Sequence, residues 1–191
     1  MQATATSRGS TDRSGFSLVE VAILSIFLLV AVGGLSSAVL SSLRLSRASE
    51  ESALADEAAR TLAGELAIAN FSDVFKLYNS SADTAAGVVA PGANFDVRGL
   101  QPRSDDADGR VGRIIFPSVP DAGGMERLRE DVQDARLGMD GPAGPGRDLN
   151  GDGDALDDVT DDYAILPVRL IIEWTGVGGD RSHELDILLV P

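Results

Sequence analysis

The sequence predicts an α+β protein, in which a long N-terminal helix precedes a small antiparallel β-sheet that ends in a C-terminal hairpin. Three observations support this fold class. An apolar run over 16–43 continues into 44–78, a segment without proline that is rich in Ala, Leu, Glu and Arg. Apolar side chains then alternate along 168–175 and along 185–189, which is the period-two pattern of strands. The glycine-rich segment 176–180 joins these runs, as a hairpin turn would.

The first part of the predicted helix is apolar on all sides. A bilayer-spanning helix needs about 20 predominantly apolar residues, so residues 16–43 are expected to cross a membrane. Residues 1–15 precede this run as a leader that contains Arg8 and Arg13. Basic residues before a span favour a cytoplasmic N-terminus, and the rest of the chain is then expected on the far side of the membrane.

The second part of the helix, residues 44–78, is predicted to be an amphipathic continuation that packs against a globular head. Apolar residues recur there mostly at three- and four-residue spacing, which is the signal of an amphipathic helix. These apolar positions are Leu54, Ala58, Leu62, Leu66, Ala69 and Val74.

Residues 79–191 are predicted to form the globular head. Short strands are expected at 94–97 and 113–116, and a short helix at 126–137. An acidic loop follows over 140–162, where glycine and proline interrupt any regular pattern. The hairpin closes the head over 163–191.

Composition excludes several classes of function. The chain has 16 Lys and Arg residues against 30 Asp and Glu residues, a net charge of −14. No nucleic-acid partner is expected, because phosphate binding needs clusters of basic residues. There is no cysteine, so disulfides and thiol chemistry are excluded. The single histidine, His183, lies in a predicted strand, and no phosphate loop or catalytic motif occurs, so no enzymatic activity is expected.

One acid interrupts the apolar run at its start. Residues 15–20 read Gly-Phe-Ser-Leu-Val-Glu, which places Glu20 inside the predicted membrane helix. Insertion scales put the cost of a carboxylate at the bilayer centre at about 2.5–3.5 kcal/mol, so a residue of this kind indicates a function. The alternative is that Glu20 lies at the membrane interface and extends its carboxylate toward water.

This arrangement resembles the class III leader of type IV pilins and type II secretion pseudopilins. The resemblance implies that prepilin peptidase cleaves after Gly15 and that Phe16 becomes the methylated N-terminus. It also implies that Glu20 pairs with the N-terminal amine of a neighbouring subunit during assembly. An amine and a carboxylate that are each costly in an apolar filament core become tolerable as a pair.

The family resemblance implies a minor pilin or pseudopilin anchored in the inner membrane, with its head in the periplasm and its helix in the core of a pilus or pseudopilus. The implied partners are the major and other minor subunits, prepilin peptidase and the inner membrane. The alternative is a single-span, membrane-anchored periplasmic domain that binds calcium or another ligand and does not polymerise. A tip adhesin is a third possibility.

The acidic loop contains a second motif. Residues 148–154 read Asp-Leu-Asn-Gly-Asp-Gly-Asp, which matches the first half of a calcium loop with alternating oxygen ligands. Val159 stands where an EF-hand has its bidentate glutamate, so either other acids complete a Ca2+ site or the loop is a solvated acidic segment. The candidate ligands are Asp148, Asn150, Asp152 and Asp154, with Asp157, Asp158 and Asp161 available to close the shell.

Overall fold

The computed structural model describes residue 15 and residues 17–82, 90–141 and 144–191; at 141, 144 and 145 it describes the backbone only. The chain divides into two compact units, Met1–Leu45 and Ser46–Pro191. One long helix near the N-terminus and small antiparallel sheets later in the chain confirm the predicted α+β class.

Helix α1 spans Leu18–Ile68, a length of 51 residues. Its first hydrogen bond runs from the amide of Val21 to the carbonyl of Ser17, 3.1 Å away. Within the first unit the helix has no buried face, because every described residue from 17 to 47 is exposed. This is the all-round apolar surface that the sequence predicts for 16–43.

Within the second unit, α1 buries one narrow face. Ala48, Ala55, Ala59 and Leu66 are its buried residues, and their spacing of seven, four and seven places them on one side of a helix. The predicted positions Leu54, Ala58 and Leu62 are only partly buried and flank this face. Alanine at its centre leaves room for large side chains of the sheet.

The helical segment over 44–78 contains a break that its periodicity does not reveal. Helix α1 ends at Ile68, and a second helix, α2, spans Phe71–Tyr78. Asn70 adopts an extended conformation between them, and its side-chain amide donates to Asp73 Oδ2 at 2.8 Å. Asparagine favours such helix ends, because its side chain competes for local hydrogen bonds.

The described residues form eight strands: β1 Asn94–Phe95, β2 Gly112–Ile115, β3 Ser118–Pro120, β4 Glu126–Leu128, β5 Asp140–Gly141, β6 Gly144–Pro145, β7 Leu166–Gly176 and β8 Gly179–Leu189. The main sheet has four antiparallel strands in the order β1-β2-β7-β8, and two small ribbons pair β3 with β4 and β5 with β6. The predicted C-terminal hairpin is confirmed as β7-β8, with Leu170 opposite Leu185 and Val168 opposite Ile187.

The helix expected over 126–137 does not form. Strand β4 takes its first residues, and only a 3-10 turn, Ala135–Leu137, follows. The carboxylate of Asp134 accepts hydrogen bonds from the amides of Arg136 and Leu137, and Gly138 ends the turn with φ of +67°. Leu128 is fully buried in the core, so packing of the strand outweighs the helical tendency of the segment.

Two apolar clusters form the core of the second unit. The smaller cluster joins Ala55 and Ala59 of α1 to Ile172 and Trp174 of β7. The larger cluster contains α2, the C-terminal strands and the residues that flank the acidic loop. Its fully buried members include Val74, Leu128, Met139, Leu149, Val159, Leu166, Val168 and Leu170.

Candidate functional site

The residues of the N-terminal motif lie at and before the start of α1. Gly15 is exposed, and a side chain added there would meet no atom within 4 Å among the described residues. Phe16 lies outside the described residues. Glu20 is exposed in the first turn of α1, where the helix dipole favours a negative charge. The carboxylate is therefore electrostatically compatible with the start of the helix.

The first unit carries a large exposed apolar surface. Leu29 is 73% exposed and Val30 69%, in a stretch of α1 where the neighbouring apolar side chains are also exposed. Among the described residues, α1 is the one helix that is long and apolar enough to cross a membrane. The chain therefore has a candidate single-pass membrane anchor.

Two buried side chains within the acidic loop, residues 140–162, anchor it to the core. Leu149 and Val159 are fully buried. The carbonyl of Leu149 accepts from the amides of Ala164 and Ile165 at 2.7 and 2.9 Å, and the amide of Val159 donates to the carbonyl of Leu128 at 3.0 Å. The Val159 that replaces the glutamate of an EF-hand is thus a core residue here.

The loop brings three of the predicted ligands together. Carboxylate oxygens of Asp152, Asp154 and Asp157 lie within 4.8 Å of one another, and all three residues are exposed. Repulsion from Asp154, desolvation and repulsion from Asp152 raise the pKa of Asp157, while Arg129 opposes the shift. Three converging carboxylates can hold a hard cation, which prefers oxygen ligands.

The other predicted ligands make contacts of a different kind. The carboxylate of Asp148 accepts from the amides of Gly151 and Gly153 and shapes the loop. The side-chain oxygen of Asn150 accepts from the amide of Asp152 at 3.0 Å. Asp158 accepts from the backbone amide and hydroxyl of Thr160, and Asp161 pairs with Lys76 at 3.0 Å.

Sequence reasoning missed Glu130, which lies beneath this loop. Glu130 is fully buried, and its Oε1 accepts from the amides of Leu149 and Asn150 at 2.6 and 3.3 Å. No sequence pattern marked it, since Glu130 lies in a turn beyond the end of β4 at Leu128. The acid was one of many in this region, and its burial depends on tertiary packing.

Comparisons of the chain with protein-family models, curated proteins and solved structures found no match.

Proposed function

We propose that this chain is a minor pilin or pseudopilin, a structural subunit of a type II secretion pseudopilus or type IV pilus. It enters the inner membrane as a precursor with its head in the periplasm. Prepilin peptidase then removes residues 1–15, and Phe16 becomes the methylated N-terminus. The chain acts by assembly with major and other minor subunits and catalyses no reaction.

The observation that carries this proposal is the sequence Gly15-Phe16 with Glu20 at the start of α1, a helix whose first half exposes its apolar residues on every described side. Burial of a Val, Leu, Ile or Phe side chain is worth about 1.5–3 kcal/mol. A surface of many such residues requires lipid or other apolar helices around it. Insertion into a membrane followed by packing in a filament core supplies both environments in turn.

Processing is the first test. Co-expression of the full-length chain with a prepilin peptidase should remove the first 15 residues, and the intact mass should correspond to a methylated chain that begins at Phe16. Gly15→Leu should block cleavage, because a bulky side chain then replaces the glycine before the cleaved bond, whereas Gly33→Leu should leave cleavage unchanged. A mature N-terminus downstream of Ala31 would contradict the family assignment.

Assembly is the second test. Glu20→Ala should leave cleavage and insertion intact and should reduce crosslinking to the major subunit at least several-fold, since the partner amine loses its counter-charge. Glu57→Ala is the matched control, an exposed acid on the same helix but in the second unit. Equal crosslinking of wild type and Glu20→Ala would exclude the pairing role.

A membrane-anchored calcium-binding domain that does not polymerise is the second candidate, and the cluster of Asp152, Asp154 and Asp157 favours it. Calcium in this loop is compatible with either function.

Full-length protein in detergent should melt at a higher temperature with millimolar Ca2+, since a ligand at a hundredfold excess over Kd adds about 2.7 kcal/mol to the free energy of unfolding. Asp157→Asn should abolish the increase and Asp96→Asn, outside the loop, should retain it. An unchanged wild-type melting temperature would identify the loop as a solvated segment.

A further inference from the structure

Strand β8 forms a long open edge of the main sheet. It stands last in the strand order β1-β2-β7-β8 and spans Gly179–Leu189, a length of 11 residues. Its register with β7 is unbroken from end to end, without a bulge, and the strand contains neither proline nor lysine. Bulges, proline and lysine are devices by which proteins stop an edge from pairing with another strand. An edge of this length without them is a template for strand addition.

The pairing of β7 with β8 shows which backbone groups of β8 point away from the sheet. The amide of Glu173 in β7 donates to the carbonyl of Val111, on the side of β7 away from β8. Opposite residues of an antiparallel pair exchange either two hydrogen bonds or none. Ser182, which lies opposite Glu173, therefore directs its amide and carbonyl to the open edge, as does every second residue of β8. These outward residues are Asp180, Ser182, Glu184, Asp186 and Leu188.

No hydrogen bond between described residues uses the outward amides and carbonyls of β8. Three of the outward residues, Asp180, Glu184 and Asp186, are exposed acids on one face of the strand. Glu184 and Asp186 contact Arg136 and Arg169 at 3.4 and 2.7 Å, and their side chains remain 39% and 49% exposed. A second copy of β8 at this edge would bring these acids close to their own counterparts, which is destabilising. A strand with lysine or arginine opposite them is stabilised instead.

The other face of the edge is apolar. Leu185 and Ile187 alternate with the outward residues and are partly buried against the core. The end of β8 then lines a mostly apolar groove of about 450 Å³, together with Leu66, Phe71 and Val190. Val190 is 62% exposed there. Apolar side chains on this face of an added strand would cover Leu185 and Ile187 and enter the groove.

We propose that β8 binds an extended segment of a different protein as an additional antiparallel strand of the main sheet. The segment alternates basic residues, which face the acids, with apolar residues, which face α1 and the groove. Hydrogen bonds to the outward residues supply affinity, and the two faces supply specificity, as in other cases of strand addition. The proposal rests on the geometry of β8 and holds whether or not the chain enters a filament.

The test measures binding of a synthetic peptide to the full-length protein in detergent. The peptide alternates lysine and valine and has the length of β8, 11 residues. In the antiparallel arrangement the lysine amides face β8, because directly opposite residues share a face and exchange hydrogen bonds. N-methylation of the lysine amides should weaken binding at least about tenfold, since backbone hydrogen bonds are lost. N-methylation of the valine amides, which face away, should leave binding unchanged. Equal affinities of the two methylated peptides would overturn the proposal.

A peptide of the same composition, with its lysines in one block and its valines in another, tests for attraction by charge alone. It keeps the charge but loses the alternation, so it cannot place basic and apolar side chains on opposite faces. We expect much weaker binding than that of the alternating peptide. If the block peptide binds equally well, nonspecific attraction to an acidic protein explains the binding and the proposal is wrong.

Variants of the edge locate the binding site. Ser182→Pro removes one outward amide and no hydrogen bond to β7, and proline is tolerated at a strand edge. It should abolish binding of the alternating peptide and leave the Tm close to that of the wild type. Normal binding by a folded Ser182→Pro would contradict the proposal. If this variant does not fold, the two methylated peptides still decide the question.

Glu184→Lys should weaken binding of the alternating peptide several-fold, because it places a positive charge opposite lysine. Asp96→Lys is the matched control, since Asp96 is exposed next to β1, at the other edge of the described sheet. Equal losses for the two variants would show that net charge and not the edge governs binding. The oligomeric state of the free protein tests the other occupant: a dimer that Ser182→Pro dissociates would identify a second copy at the edge and overturn the proposal.

Discussion

The two halves of α1 share one helix and differ in what surrounds them. The first half, within Met1–Leu45, is apolar and exposed on every described side. The second half buries a narrow face, with Ala55 and Ala59 fully enclosed, and leaves charged residues outside. The same backbone thus serves two kinds of contact, because the side chains alone decide whether a helix needs an apolar solvent or a single packed partner.

A charge placed in the packed face should have the largest effect. Ala59 is fully buried beside Trp174, so Ala59→Asp introduces an uncompensated buried charge. An uncompensated buried charge costs about 3–5 kcal/mol, and we expect a loss of this size. The measurement is urea unfolding of the full-length protein in detergent, followed by fluorescence of Trp174, the single tryptophan.

Ala67→Asp is the control for that experiment, because Ala67 is exposed on the same half of α1. Exposed substitutions usually change stability by less than about 0.5 kcal/mol. Equal losses for the two variants would refute the assignment of Ala59 to the packed face.

The next effect concerns one acid that joins this half of the helix to the hairpin. The carboxylate of Glu51 accepts from the indole of Trp174 at 3.3 Å and from the amide of Val177 at 3.2 Å. Hydrogen bonds to charged groups contribute about 1.5–3 kcal/mol. Because Glu51 is partly exposed, we expect Glu51→Ala to cost an amount at the lower end of this range. Glu50→Ala removes the adjacent exposed acid and should leave the urea midpoint almost unchanged. If both variants unfold at the same urea concentration, Glu51 has no role in joining helix and hairpin.

A glycine-to-alanine substitution in each half of α1 should have a smaller effect on stability. A Cβ added at Gly33 or at Gly64 would meet no atom within 4 Å among the described residues. Gly64→Ala should raise the stability of the second unit by up to about 1 kcal/mol, because alanine favours a helix over glycine. Gly33→Ala should leave unfolding measured at Trp174 unchanged. A shift caused by Gly33→Ala would show that the two halves are energetically coupled.

The smallest expected effect is electrostatic. A hydrogen bond from Arg60 and the charges of Arg60 and His183 lower the pKa of Asp56, against opposing desolvation. Because the folded pKa is depressed, this contribution is present above the unfolded pKa and is lost as pH falls through the folded pKa. Arg60→Ala should raise the pKa of Asp56 toward its ordinary value, as NMR titration can measure, and Arg44→Ala should not. If Arg60→Ala leaves the pKa of Asp56 unchanged, a group other than Arg60 lowers that pKa.

The comparison also shows which kinds of pattern carry structural information. The hairpin was predictable because two alternating runs, 168–175 and 185–189, surround a glycine-rich turn, and such a pairing is local in sequence. The short helix over 126–137 was wrongly predicted, because β4 pairs with β3 and buries Leu128 instead. Short segments have weak propensities, and long-range packing overrides them.

The candidate sites divide in the same way. Gly15, Phe16 and Glu20 lie within six consecutive residues, so their pattern is visible without a fold, and their proposed roles remain predictions. The grouping of Asp152, Asp154 and Asp157 follows from the turns within one loop. Which other acids approach this group depends on the fold. Asp158 accepts a hydrogen bond from the amide of Thr160, and Asp161 forms an ion pair with Lys76.

The sequence by itself determined the long helix, its apolar first half, the hairpin and the acidic loop, because each depends on the spacing of residues along a short stretch of chain. Only the tertiary structure decided that Ala55 and Ala59 form the packed face, that Asn70 separates α1 from α2 and that Glu130 lies buried beneath the loop. Burial is a property of what surrounds a side chain, and the surroundings come from segments far apart in sequence.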